Sequence, residues 1–125
     1  MKKLVAVLAA LVASSSMAIT GNQAVQTFIG TEHRETMLMI YSMAFMDQEV
    51  VVRINAKAAI LAGKDFVSPF CAPEGANSAQ LASIISNELR SHPENNHQVF
   101  AFIARQAATK AWPCTEDQVA NFPSK

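Results

Sequence analysis

The chain has 125 residues, half of them hydrophobic, with ten basic and ten acidic side chains and a formal net charge of zero. That length suits one domain with a modest core. The scattered, balanced charge provides neither a basic stripe for nucleic acid nor a polybasic patch for anionic lipid, which argues against both as partners of the mature protein.

In chain order, Lys2 and Lys3 form a positive start, and Leu4 to Ala13 is an uncharged apolar run. Ser16-Met17-Ala18 then places small residues where a signal peptidase reads them. Residues 1–18 are expected to be a cleaved secretory signal peptide, leaving a domain of residues 19–125 in the periplasm. The rival is a permanent anchor, but the run is about ten residues and a bilayer span takes about twenty. Later apolar stretches are amphipathic, and no cysteine directly follows the run to accept a lipid. Losing Lys2 and Lys3 leaves a formal charge of minus two.

A short helix is predicted from Asn22 to Phe28, with Gly21 before it and Gly30 closing it. Thr31 is a predicted N-cap, with Glu32 and Glu35 at the positive end of the next helix dipole. No Pro or Gly interrupts Glu32 to about Ala62. Met39, Met43, Met46, Val50, Ile54, Ala58 and Leu61 recur at three-and-four spacing, and Leu38, Tyr41, Phe45 and Val52 widen that stripe. The reading is one long helix, or two joined near Asp47 to Glu49. Val50-Val51-Val52 could start a strand, but no alternation follows.

Gly63 ends the region, and Lys64 to Gly75, with Pro69 and Pro73, reads as a loop. Asn77 with Gln80 resembles a capping box, starting a helix with Leu81, Ile84, Ile85 and Leu89 on its apolar face that runs to about Arg90. His92-Pro93 breaks it, because the residue before proline is pushed out of the helical region. Asn95 or Asn96 is expected to cap the next helix, whose apolar side is Val99, Phe100, Ile103, Ala107 and Ala111, and Pro113 stops it. The tail after Thr115 is expected to fray.

Two cysteines in an exported chain read as one bridge, Cys71 to Cys114, with two free buried thiols as the bland rival. Closing a loop of forty-odd residues contributes about 4 kcal/mol on the chain-entropy model. The predicted fold class is all-α: a small bundle of four to five helices stapled by one disulfide.

Catalytic and metal constellations fail on spacing. His92 and His97 are five apart with Pro93 between His92 and Glu94, whereas a zinc-protease helix needs histidines four apart. Oxidised cysteines supply no thiolate, no serine elbow is present, and no glycine loop could cradle phosphate. Neither catalysis nor a cofactor is expected. The methionines at 37, 39, 43 and 46 read as core, as an adaptable binding surface, or as a self-association seam.

Phe70-Cys71-Ala72-Pro73-Glu74-Gly75, Ala79-Gln80-Leu81, His92-Pro93-Glu94 with His97, and Ala111-Trp112-Pro113-Cys114 stand in a set order. In that order the second half, Phe70 to Cys114, resembles the Rap/Tai family of periplasmic immunity proteins of type VI secretion. The resemblance implies a small helical fold, often dimeric, that protects the cell by binding a peptidoglycan amidase effector and occupying its cleft. It also implies Cys71–Cys114 as the family's disulfide. Many members carry a further cysteine pair in the first half, where this chain has none.

The predicted effector-binding segment is the turn from Ser91 to His97. His92, Glu94, Asn95, Asn96 and His97 are its candidate contact residues, with the Lys64–Ser68 loop as the alternative. The predicted homodimer seam is Met39, Met43, Met46 and Val50. A small helical acid-stress chaperone is the competing reading, but three histidines and a balanced charge supply few titrating groups for one.

Overall fold

A computed structural model describes residues 18–124, so the basic start and apolar run of the expected signal peptide lie outside the described residues. Four of the five described α-helices begin where the sequence supplies a capping oxygen. Helix α1 (Gly21–Phe28) starts at Thr20, whose Oγ1 accepts from Gln23 N at 3.3 Å while Gln23 Oε1 accepts from Thr20 N at 2.8 Å. Helix α2 (Glu32–Leu61) is capped by Thr31, and α3 (Ser78–Ser91) by a capping box of Asn77 and Gln80. A one-turn 3-10 helix, Pro93–Asn95, leads to α4 (Phe100–Ala111), and α5 (Glu116–Ala120) starts on a third capping box. Each box satisfies N–H groups that a helix start leaves unpaired.

α2 is one unbroken helix of thirty residues, about 45 Å long at the standard rise. No break occurs near Asp47, and Val50 to Val52 are helical. It ends at Gly63, whose φ of +65° suits glycine; Lys64 N donates to Ala59 O and Gly63 N to Ile60 O, the Schellman pattern.

α3 packs on both α2 and α4. The main core gathers Leu81, Ile85 and Leu89 of α3 with Leu38, Phe70, Phe100 and Ile103. Aromatic rings run through it: Phe28, Tyr41 and Phe100 pack together, and Phe45 stacks on Phe70 at 5.8 Å. A second, smaller cluster holds Ala56, Cys71 and Phe122 with Cys114 and Val119 against it. The Cys71–Cys114 disulfide is present, tying the end of α4 to the loop before α3. Among the described residues there is no strand, only an isolated bridge between Thr20 and Val99.

Three local expectations are corrected. The buried face of α2 is Leu38, Ser42, Glu49 and Ala56, with Tyr41, Phe45, Met46 and Val52 half-buried beside it. Met39, Met43, Val50 and Leu61 face outward, roughly a third of a turn away at 100° per residue. Spacing identified an apolar face of the helix, but α2 has two. Secondly, neither Asn95 nor Asn96 caps α4; Val99 occupies that position without a side-chain bond, and Phe100 N donates to Ile19 O instead. Thirdly, the segment after Thr115 is ordered: Phe122 is buried in the second cluster, and Lys57 Nζ donates to its carbonyl at 2.7 Å.

Candidate functional site

The predicted turn from Ser91 to His97 is built by local bonds. Pro93 sets the first position of the 3-10 helix; Asn95 N donates to His92 O and Asn96 N to Pro93 O, both within 3.1 Å. Gln98 N closes the turn on Asn95 O at 3.0 Å. His92 Nδ1 meets Glu94 Oε1 at 3.1 Å, and His97 Nδ1 meets the Glu94 carbonyl at 2.9 Å. The backbone hydrogen bond at Glu94 itself, and then His92, hold its carboxyl below the usual range.

Glu94 and His97 are exposed, and His92 and Asn95 are partly so. Asn96 is not: it is 3% exposed, and its Nδ2 donates to Leu89 O at 3.0 Å. It pins the turn to the end of α3 from inside, which removes it from the candidate contact residues. His92 and His97 bind Glu94 through different atoms, and no group of three or more metal-ligating side chains occurs among the described residues.

A second segment holds the turn from the other side. Gly21 N donates to Gln98 O at 2.9 Å, Asn22 N to Asn96 O at 2.8 Å, and Phe100 N to Ile19 O at 2.8 Å. A Cβ on Gly21 would lie 2.6 Å from Ile103 Cδ1 and 2.8 Å from Asn96 Cα, so only glycine permits this approach. The start of the described chain thus splints the turn through backbone bonds.

The sequence reading assigned no role to the charged cluster that holds the loop before α3. Glu49 is 3% exposed at the centre of α2's buried face, and its Oε1 accepts from Phe70 N at 2.7 Å. Arg105 of α4 forks onto both Glu49 oxygens, at 3.4 and 3.1 Å, and donates to Ser68 O. Its guanidinium lies 4.9 Å from the Phe45 ring centre and 5.7 Å from that of Phe70. Arg53 Nη2 donates to Phe70 O at 2.8 Å. A carboxylate in helical phase with Leu38, Ser42 and Ala56 was the available signal. Glu49, Arg105 and the Phe70 backbone satisfy one another there, and Arg53 Nε alone of these groups is left buried without a partner, so the cluster serves the fold.

The predicted seam divides. Met46 packs on the main core, whereas Met39, Met43 (60% exposed) and Val50 (53% exposed) lie outside with Ile40, Val51 and Leu61. The Lys64–Ser68 loop is exposed. Between α2 and α3, small side chains at Ala79, Ala82, Ser83 and Ser86 leave an open groove, crossed at one end by Glu35–Arg90 at 3.7 Å.

Comparison with curated proteins finds no match, and comparison with solved structures finds none. A family model described as Rap1a immunity proteins matches residues 20–114, which reaches back through α1 and α2 beyond the motifs of the second half. Such a family binds a cognate effector protein and is generally non-catalytic and typically periplasmic. No described helix is long and apolar enough to cross a membrane. The match spans most of the helical bundle and ends on the second cysteine of the disulfide: the chain belongs to the Rap1a immunity protein family.

Proposed function

We propose that the mature protein is a periplasmic inhibitor that binds a peptidoglycan amidase effector of type VI secretion and blocks its cleft with the Ser91–His97 turn. The observation that carries this reading is the turn's combination of polar exposure and internal restraint. His92, Glu94, Asn95 and His97 offer donors and acceptors, while Asn96 and the Ile19–Asn22 segment hold the backbone. A binding element restrained before docking loses little conformational entropy when it engages its partner. Inhibition by occlusion needs no catalytic group, in keeping with a generally non-catalytic family. Residues 1–18 act as the export signal, and the disulfide suits the oxidising compartment they lead to.

The same reading includes a homodimer through the outward face of α2, where Met39, Met43 and Val50 stand unpartnered. An apolar stripe of that length on a soluble helix marks an interaction surface. The deciding experiment exports the amidase effector of the same gene cluster to the periplasm of a test strain, with and without this protein. Rescue of growth, together with inhibition of purified amidase on peptidoglycan, is the expected result. Lysis that proceeds equally in both strains, with no complex formed by the purified proteins, would sink the reading.

A further inference from the structure

Among the described residues thirteen large hydrophobic side chains are exposed. Ten lie on α2 or in the loop that follows it; the other three are Ile19, Val99 and Phe102. These three come from segments joined by backbone contacts, with Phe100 N donating to Ile19 O and Thr20 bridging Val99. They therefore lie at the end of the bundle that carries the Ser91–His97 turn.

Phe102 is 68% exposed, the most exposed aromatic side chain among those of the described residues. The fold makes no use of its ring, because α4 buries Phe100, Ile103, Ala104, Ala107 and Ala108 instead. Val99 lies three residues before it, within side-chain reach, and Phe102 N donates to Val99 O at 3.0 Å.

We infer that Phe102, flanked by Val99, is the apolar anchor of effector recognition, seating in an apolar pocket of the amidase beside the region that the turn covers. The inference rests on the effector-binding reading above. A tight interface joins one or two desolvated aromatic anchors to a polar rim. Phe102 and Val99 supply the first, and Glu94, Asn95 and His97 the second. The occupant is the effector, to which the polar turn adds area, and not a second copy, which has the outward face of α2 to supply the roughly 800 Å² per partner of a stable interface. A patch of three side chains is too small for that, whereas the outward face of α2 runs most of a thirty-residue helix. The family's own partner class is a cognate effector protein.

The test measures binding of the mature protein and of Phe102→Ala to purified amidase whose active site has been inactivated, by calorimetry. Light scattering and melting of each free protein accompany it. Phe102→Ala should weaken binding about 30-fold or more, as expected for an aromatic hot spot, with melting temperature and free mass unchanged. Binding within two-fold of wild type would overturn the anchor while leaving the effector reading intact. A change in free mass would assign the ring to a copy–copy contact and overturn the inference as well. No binding by wild type would remove both the inference and the reading beneath it.

Discussion

The two faces of α2 have reversed characters. The face turned into the bundle carries Ser42 and Glu49 among its buried residues, while the face turned outward carries Met39, Ile40, Met43, Val50 and Val51. The difference teaches that a helix is oriented by what its neighbours can satisfy, and not by which stripe is more apolar. Ser42 returns its hydroxyl to Leu38 O at 2.8 Å, and Glu49 is saturated by Phe70 N and Arg105. With those bonds made, the inward face buries Leu38, Ala56 and the aromatic rings at little polar cost. The outward face is left at the surface.

Breaking the inward face should produce the largest effect. Glu49→Ala leaves Arg105 largely buried against two rings without its carboxylate and frees Phe70 N. Removing one partner of a buried pair costs about 3 to 5 kcal/mol, so urea denaturation should show a loss of that order. A loss under about 1 kcal/mol would mean that the loop before α3 is held by other contacts.

The next largest effect tests another tether on the same loop. Glu49 and Arg53 hold Phe70, and the disulfide holds Cys71. Cys114→Ser should lower the melting temperature by more than about 10 °C, on the scale of the roughly 4 kcal/mol that the chain-entropy model assigns to such a loop. Hydrogen exchange should localise the damage to the Ala56–Phe122 cluster first and spare α1. Two alkylatable thiols in the unreduced wild-type protein would end this expectation.

The outward face should respond in the opposite way. Met43→Glu places a charge where the side chain already meets solvent, so the stability of the monomer should move by no more than about 0.5 kcal/mol. Light scattering should nevertheless show the mass falling from dimer to monomer. An unfolded variant would put Met43 inside after all, and a wild type already monomeric at high concentration would leave the face to another partner.

The smallest effect belongs to the turn, and it sharpens the contrast between a carboxylate inside the bundle and one at its surface. Glu94 has its pKa lowered in the folded protein, first by the backbone bond at Glu94 and then by His92. A lowered folded-state pKa contributes stability that is present above the unfolded carboxylate value and lost as pH falls through the folded one. The side-chain NMR shift of Glu94 should therefore change below the ordinary glutamate range, while the Leu81–Leu89 core stays unmoved until lower pH. Global unfolding coincident with Glu94 protonation would contradict a local role for this pair.

What the sequence determined by itself is local. Thr31 and Asn77 mark helix starts because a cap bonds an N–H only a few residues away, and Gly63 marks an end because its φ is positive. Pro93 confines the turn for the same short-range reason, and the ordered motifs around Cys71 and Cys114 were enough to point to the family. The tertiary structure alone decided which face of α2 goes inward, because Glu49 becomes tolerable only when Arg105, fifty-six residues on, reaches it. It also took Asn96 out of the exposed turn and brought Phe122 back to Lys57. Gly21, read as a simple boundary, is required by a backbone that passes seventy-odd residues later. In each case the deciding partner is distant in the chain, and the spacing of apolar residues within one helix does not record which distant donor will satisfy a buried acceptor.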